Sequence, residues 1–172
     1  MSDDGGPTNV GTRFDRLPAT AAERTVSGRA TREAVLAFWA NRYGIDRAVF
    51  ADHSFWERGA GKLWVFRDDI DSPAEVQGLG MTVLRTRQEH WKPTLEATQR
   101  FGRHATRNCI RLPQSAAEQF LAGRDQSLDW DGDWGYLLVT HELAGDPEPL
   151  GVGLYVHGEL RSMVPKGRRR EL

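Results

Sequence analysis

The segment RFGRHATRNCIR holds Arg100, Arg103, Arg107 and Arg111 with no acid among them, and PKGRRR, two residues before the end of the sequence, adds Lys166, Arg168, Arg169 and Arg170. A guanidinium is planar and permanently charged; it forks two donors toward one phosphate, and its face stacks on a base. A merely solvated face intersperses acids among its cations, so cations gathered in this way suit contact with a polyanion. The acids gather elsewhere, in DDIDSPAE and DQSLDWDGDW, and the formal net charge of -1 conceals this segregation of sign. Only three of the 23 basic residues are lysines, Lys62, Lys92 and Lys166. Nucleic-acid contact and codon bias toward arginine both account for that preference.

Other chemistries are less well supplied. The five histidines, His53, His90, His104, His141 and His157, show no paired spacing and have Cys109 as their only thiol company, so no metal site is expected. His104 and Cys109 could form a nucleophile pair in a small enzyme, but Cys109 sits within the strand-like NCIRL and reads as core filler; no catalytic residue is expected. The glycines of PLGVGLYVHG lack a Walker lysine, a GxGxxG pattern and a following helix, so they serve a turn or a close backbone approach and imply no cofactor. Asp129, Asp131 and Asp133 alternate as in a calcium loop without its closing Glu, and read as an acidic hairpin turn. The tryptophans Trp39, Trp56, Trp64, Trp91, Trp130 and Trp134 read as core residues before base-stacking platforms.

The elements that must position the cations follow from periodicity and punctuation. Residues 1–28 mix Gly, Pro, Asp, Ser and Thr with few large apolar groups, which predicts a disordered tail. Thr31 caps a helix in which Val35, Phe38, Trp39 and Tyr43 recur at helical spacing, and Gly44 stops it. GKLWVFRD and GLGMTVLRTR read as strands, the first with Leu63 and Val65 on one face and Trp64 and Phe66 on the other. KPTLEATQRFGRHA reads as a helix striped by Leu95, Thr98 and Phe101, and NCIRLP as a strand. A short helix, QSAAEQFLAGRD, closes at Gly123; GYLLVTHEL and LGVGLYVHGELRSMVP follow as strands joined by the loop AGDPEP. These patterns predict an α+β protein, a small α/β domain over residues 29–106 and a small barrel over 107–172. With 39% hydrophobic residues, no apolar run near the ~20 that span a bilayer, and no basic-then-apolar leader, a soluble cytoplasmic protein without membrane contact is expected.

SFWERGAGKLWVF, HWKPTLEATQRFGRHATRNCIRL, AAEQFLAGRD and GYLLVTHELAGDPEPLGVGLYVHGELRSMVPKGRR together resemble, in that order, the C-terminal RNA-binding region of Sun/Fmu-type ribosomal-RNA cytosine-5 methyltransferases of the RsmF class. KPT, PLGVG and PKGRR are its most specific parts, and the resemblance covers residues 31–170. It implies a small pre-PUA-like α/β domain followed by a PUA-like β-barrel with a basic C-terminus, and rRNA or tRNA as partner. A methyltransferase or pre-ribosomal particle would be a further partner. It also implies by omission an RNA-binding part standing alone, since the S-adenosylmethionine loop and the pair of catalytic cysteines are missing. The RNA contacts expected are Lys92, Arg100, Arg103, Arg107, Gly151, Gly153, Arg161, Lys166, Arg168, Arg169 and Arg170, with the glycines offering backbone for close approach. The family's lysine after GxG is Leu154 here, which leaves Arg161 and the 166–170 cluster to supply the charge. The alternative reading is a protein-interaction module that docks a separate methyltransferase or ribosomal protein through Trp130 and Trp134.

Overall fold

The computed structural model describes residues 13–172. They fall into two compact units, one running through Asn41 and over Asp46–Lys92, the other made of Arg42–Ile45 and Pro93–Leu172. The boundary therefore lies before residue 93 rather than at 106, because the helix after KPT packs with the elements that follow it.

The first unit contains strand β1 (Arg13–Arg16), most of helix α1 (Arg32–Tyr43), strands β2 (His53–Glu57), β3 (Lys62–Arg67), β4 (Ala74–Glu75) and β5 (Met81–Arg85), and the first residue of β6 (Lys92–Pro93). The strands form one sheet in the order β4-β1-β2-β3-β5-β6. The buried Leu17 and the 3-10 turn Ala21–Glu23, together with strand β1 ahead of them, replace the disorder expected for residues 13–28; the same expectation for residues 1–12 lies outside the described residues. Locally β1 is charged, with Phe14 as its one inward apolar residue, and no composition rule recovers it. Its order comes from partners distant in sequence: Phe14 pairs opposite Ala74, and Asp15 opposite Glu57. Thr31 Oγ1 accepts from Ala34 N at 3.0 Å, and Gly44 ends α1 at φ 65°, as its cap and stop predict. Central β2 buries Ser54, Phe55, Trp56 and Glu57 in succession, so it shows none of the alternation that marks a half-exposed strand.

One charged cluster is sealed inside this unit. Arg29, 8% exposed, donates from Nε to Glu57 Oε1 at 3.2 Å, and its Nη2 lies 3.6 Å from Asp15 Oδ2. Burial pushes the Glu57 carboxyl above its ordinary range, although Arg29 pulls it down. Near it Phe14, Trp56, Ala74 and Leu79 form a cluster extended by Trp64 and Phe66, with the Arg16 guanidinium 4.9 Å from the Trp56 ring centre.

The second unit contains α2 (Leu95–Phe101), β7 (Cys109–Arg111), α3 (Gln114–Leu121), β8 (Gln126–Ser127), β9 (Gly135–Leu143), β10 (Asp146–Val156) and β11 (Glu159–Ser162). Thr94 caps α2 by accepting from Ala97 N at 3.1 Å, and Thr98 and Phe101 are buried along its stripe. The five strands run in the order β7-β9-β10-β11-β8, with β7 parallel to β9 and the other pairings antiparallel. The expected barrel is not closed: among the described residues β7 and β8 are the two ends of an open sheet. Ile110, Leu112, Ala117, Phe120, Leu137, Val139, Leu160 and Val164 form its core with α3.

Two local expectations change here. The loop AGDPEP is mostly strand: only Ala144 and Gly145, at φ 51° and 88°, make the hairpin turn, and β10 has already begun at Asp146. Pro147 and Pro149 thus lie within β10, in a stretch that pairs with β9 alone, because β11 joins only from Gly153 onward. The acidic DWDGDW run is not a hairpin either. It links β8 to β9, and β8 pairs with β11.

Arg42–Ile45 joins this unit through specific bonds. Arg42 Nη2 donates to the carbonyls of Trp134 and Tyr136 at 3.0 and 2.9 Å, and Tyr43 Oη donates to Tyr136 O at 2.9 Å. Burial pushes the Tyr43 hydroxyl up, so it remains a donor. Asn108, 7% exposed, donates from its amide to Arg42 O at 2.8 Å and to Asp133 Oδ2 at 3.0 Å.

Candidate nucleic-acid interface

The basic C-terminus is folded back rather than frayed. After Pro165 a single 3-10 turn, Lys166–Arg168, closes on a bond from Arg168 N to Pro165 O at 2.8 Å. Arg170 N then donates to Leu121 O at 2.9 Å, satisfying a carbonyl at the end of α3. Arg169 Nε donates to Val164 O at 3.1 Å, and its side chain lies across Gly123, where a Cβ would stand 2.3 Å from that nitrogen. Gly123, at φ 82°, both ends α3 and leaves room for the arginine.

This fold-back brings the tail to α2. Arg168 Nη2 lies 3.6 Å from Glu96 Oε1 in the first turn of the helix. Glu96, Arg100 and Arg103 follow at spacings of four and three residues, which puts them on one face of α2 and the 3-10 turn that continues it, Gly102–His104. Arg168, Arg100 and Arg103 therefore make a cationic stripe of exposed side chains, crossed by one carboxylate. Among the described residues Arg100, Arg103, Arg107, Lys166 and Arg170 have no carboxylate within 4 Å, which leaves their charge to solvent or a ligand. Arg107 is fixed through its backbone N, which donates to Tyr43 O at 3.1 Å. Arg111 and Arg161 are exposed but each pairs with an acid, Glu142 at 2.9 Å and Glu159 at 3.0 Å. Arg161 stands opposite Leu154 in the sheet, so it supplies charge beside the position that lacks a lysine.

Of the other expected contacts, the two glycines do not join this stripe. Lys92 belongs to the first unit. Gly151 and Gly153 are buried and face side chains, not solvent: a Cβ on Gly151 would stand 3.3 Å from Leu95 Cδ1 and 3.5 Å from Phe120 Cε1, and one on Gly153 only 2.5 Å from Leu160 Cδ1. These glycines make room for large core residues, and no ligand reaches them. Trp134 departs in the other direction; it is 62% exposed, whereas Trp39 and Trp56 are fully buried.

The remaining chemistry is modest. Burial pushes the Cys109 thiol above its ordinary value, with Thr140 Oγ1 3.8 Å from its sulfur, a direction opposite to that of an activated nucleophile. In the first unit a broad cleft of about 1100 Å³ is lined by Arg16, Arg32 and Arg67 but equally by Asp52, Asp68 and Asp69, a balanced lining that selects no single charge type. No helix among the described residues is long and apolar enough to cross a membrane.

Comparison with known families divides the chain much as the fold does. Residues 107–170 match the Methyltransferase RsmF PUA domain, and residues 1–80 match a family of unknown function, DUF7122. No curated protein matches the chain. Residues 107–170 are thus similar to the PUA domain of RsmF-type proteins within an α+β chain, and the PUA domain is an RNA-binding module. The α2 stripe of Arg100 and Arg103 lies outside both matched segments.

Proposed function

We infer that this protein binds structured RNA, ribosomal or transfer, through phosphate contacts of its second unit, and that it acts without catalysis in ribosome biogenesis or RNA modification. The observation that carries this reading is the match of residues 107–170 to an RNA-binding module. The stripe of Arg100, Arg103 and Arg168 supports it, because exposed guanidinia gain most from phosphate where, as at Arg100 and Arg103, no acid competes, and the Glu96 contact of Arg168 lies at the surface. A methyltransferase or pre-ribosomal particle supplied in trans is the partner this role calls for.

Titrating labelled ribosomal and transfer RNA by fluorescence anisotropy over a salt series tests it. A linear fall of log affinity with log salt is expected; binding no tighter than that of an acidic control protein, with no slope, rejects it. A second reading, docking of a protein partner, is favoured by Trp134 alone, a large aromatic left exposed beside Asp131 and Asp133. Partner capture that persists after nuclease treatment and is lost in Trp134→Ala would favour docking over RNA.

A further inference from the structure

We propose that the first unit carries an RNA-contact surface of its own, formed by Arg58, Lys62, Arg85, Arg87 and Lys92 at one end of its sheet. The inference rests on the RNA-binding reading above and extends it to the first unit.

Strand direction gathers these residues. Strands β2, β3 and β5 are antiparallel neighbours, so the end of β2, the start of β3 and the end of β5 meet at one edge of the sheet. Arg58 follows β2, Lys62 opens β3, and Arg85 closes β5. Lys62 and Arg85 stand directly opposite each other in the register, a like-charge pairing that costs the free protein stability. Arg58 and Lys62 also converge on one ring, 5.0 and 5.4 Å from the centre of Trp64.

The β2–β3 turn shapes a receptor for an oxyanion. Gly61, at φ 75°, accepts a bond from Thr86 N at 2.9 Å, and the Arg87 stem packs so closely that a Cβ on Gly61 would stand 2.3 Å from Arg87 Cγ. Between them lies a shallow cavity of about 370 Å³ lined by Ala60, Gly61, Arg85, Arg87 and Gln88. Arg85 and Arg87 are exposed and, among the described residues, have no carboxylate within 4 Å. Burial and the neighbouring Arg85 guanidinium both hold the Lys92 ammonium below its ordinary value, so an arriving anion would relieve it. Glu89 is the one acid in the connection to β6. A phosphodiester backbone suits this edge because it repeats one negative charge at each step along a row of cations, which a single carboxylate does not.

The test compares full-length variants by anisotropy with a labelled structured ribosomal-RNA fragment over a salt series. Arg85→Gln with Arg87→Gln should lower the magnitude of the salt slope by about two units, one for each phosphate contact. Its melting temperature should equal or exceed that of the unmodified protein, because like charges have been removed. Arg85→Lys with Arg87→Lys keeps both charges and should restore most of the slope. A double Gln variant with unchanged affinity and slope overturns the inference; loss of binding in Arg100→Ala with Arg103→Ala would then leave the RNA reading standing. Absence of RNA binding in the unmodified protein overturns that reading first. Displacement of the RNA by polyglutamate as readily as by polyphosphate would overturn the phosphate assignment in favour of an acidic protein partner.

Discussion

The enclosed ion pairs of the first unit and the surface pairs of the second show two opposite uses of the same chemistry, although Arg16–Asp69 in the first unit is also exposed and Arg42 of the Arg42–Asp133 pair in the second is half-buried. In the first, Arg29, Glu57 and Asp15 are enclosed, with side-chain exposures of 7%, 6% and 17%, and they join the segment before α1 to two adjacent strands. In the second, Arg111–Glu142, Arg161–Glu159 and Arg168–Glu96 all lie at the surface, with every partner at least 41% exposed. Enclosed charges cannot be released without unfolding, so the first set builds the fold. Surface pairs exchange freely with water and ions, so the second set costs little to open for a competing phosphate. An arginine count alone does not distinguish the two uses; the surroundings of each side chain do.

The sharpest break of this contrast is Arg29→Met. Removing the cation takes the guanidinium partner from the buried Glu57 carboxylate, and should destabilise the first unit by about 3–5 kcal/mol in denaturant titrations. Glu57 has a raised folded-state pKa, so its protonated form favours the native state: its contribution is greatest below the ordinary carboxylate range and is lost as pH rises through the raised value. The deficit of Arg29→Met should therefore shrink on acidification, whereas a deficit independent of pH would show that lost packing dominates.

Next in size is Gly153→Val, which forces a branched side chain against Leu160 and Val139 and should cost about 1–3 kcal/mol in a thermal melt. Gly151→Val meets looser neighbours and should cost less. Arg168→Ala is smaller still in stability, about 0–1 kcal/mol, because both partners are more than 40% exposed. It should nevertheless lower the RNA salt slope by about one unit. Arg161→Ala should change stability by no more than about 0.5 kcal/mol. A loss above about 2 kcal/mol in either surface variant would erase the contrast between the units.

What could be read in advance follows from how local each signal is. Helix α1 was legible because Thr31 and Gly44 act within one turn of its ends, and β3 because Leu63 and Val65 alternate with Trp64 and Phe66. Strand β1 was not, since its order depends on Ala74 and Glu57, far away in sequence. The cations of RFGRHATRNCIR could be recognised by their number, but not the link from Arg168 to Glu96 that aligns them with the tail. Gly151 and Gly153 misled for a related reason: a glycine signals that space is needed and is silent on whether Phe120, Leu160 or a ligand fills it. Arg58, Lys62, Arg85 and Arg87 are scattered along the chain, and only the pairing of β3 with β5 reveals them as neighbours.

The two prolines of β10 bear on how the protein behaves at high concentration. Ahead of Gly153 this strand has β9 on one side and no strand on the other, the kind of unclaimed border at which extended chains stack into fibres. Pro147 and Pro149 are two positions apart, so both withhold a donor from the same side, and proline is tolerated within a sheet where that side is not laddered. A foreign strand arriving there would find acceptors but no matching hydrogens at alternate steps. The residues that make AGDPEP look like a loop thus serve as a guard against self-association.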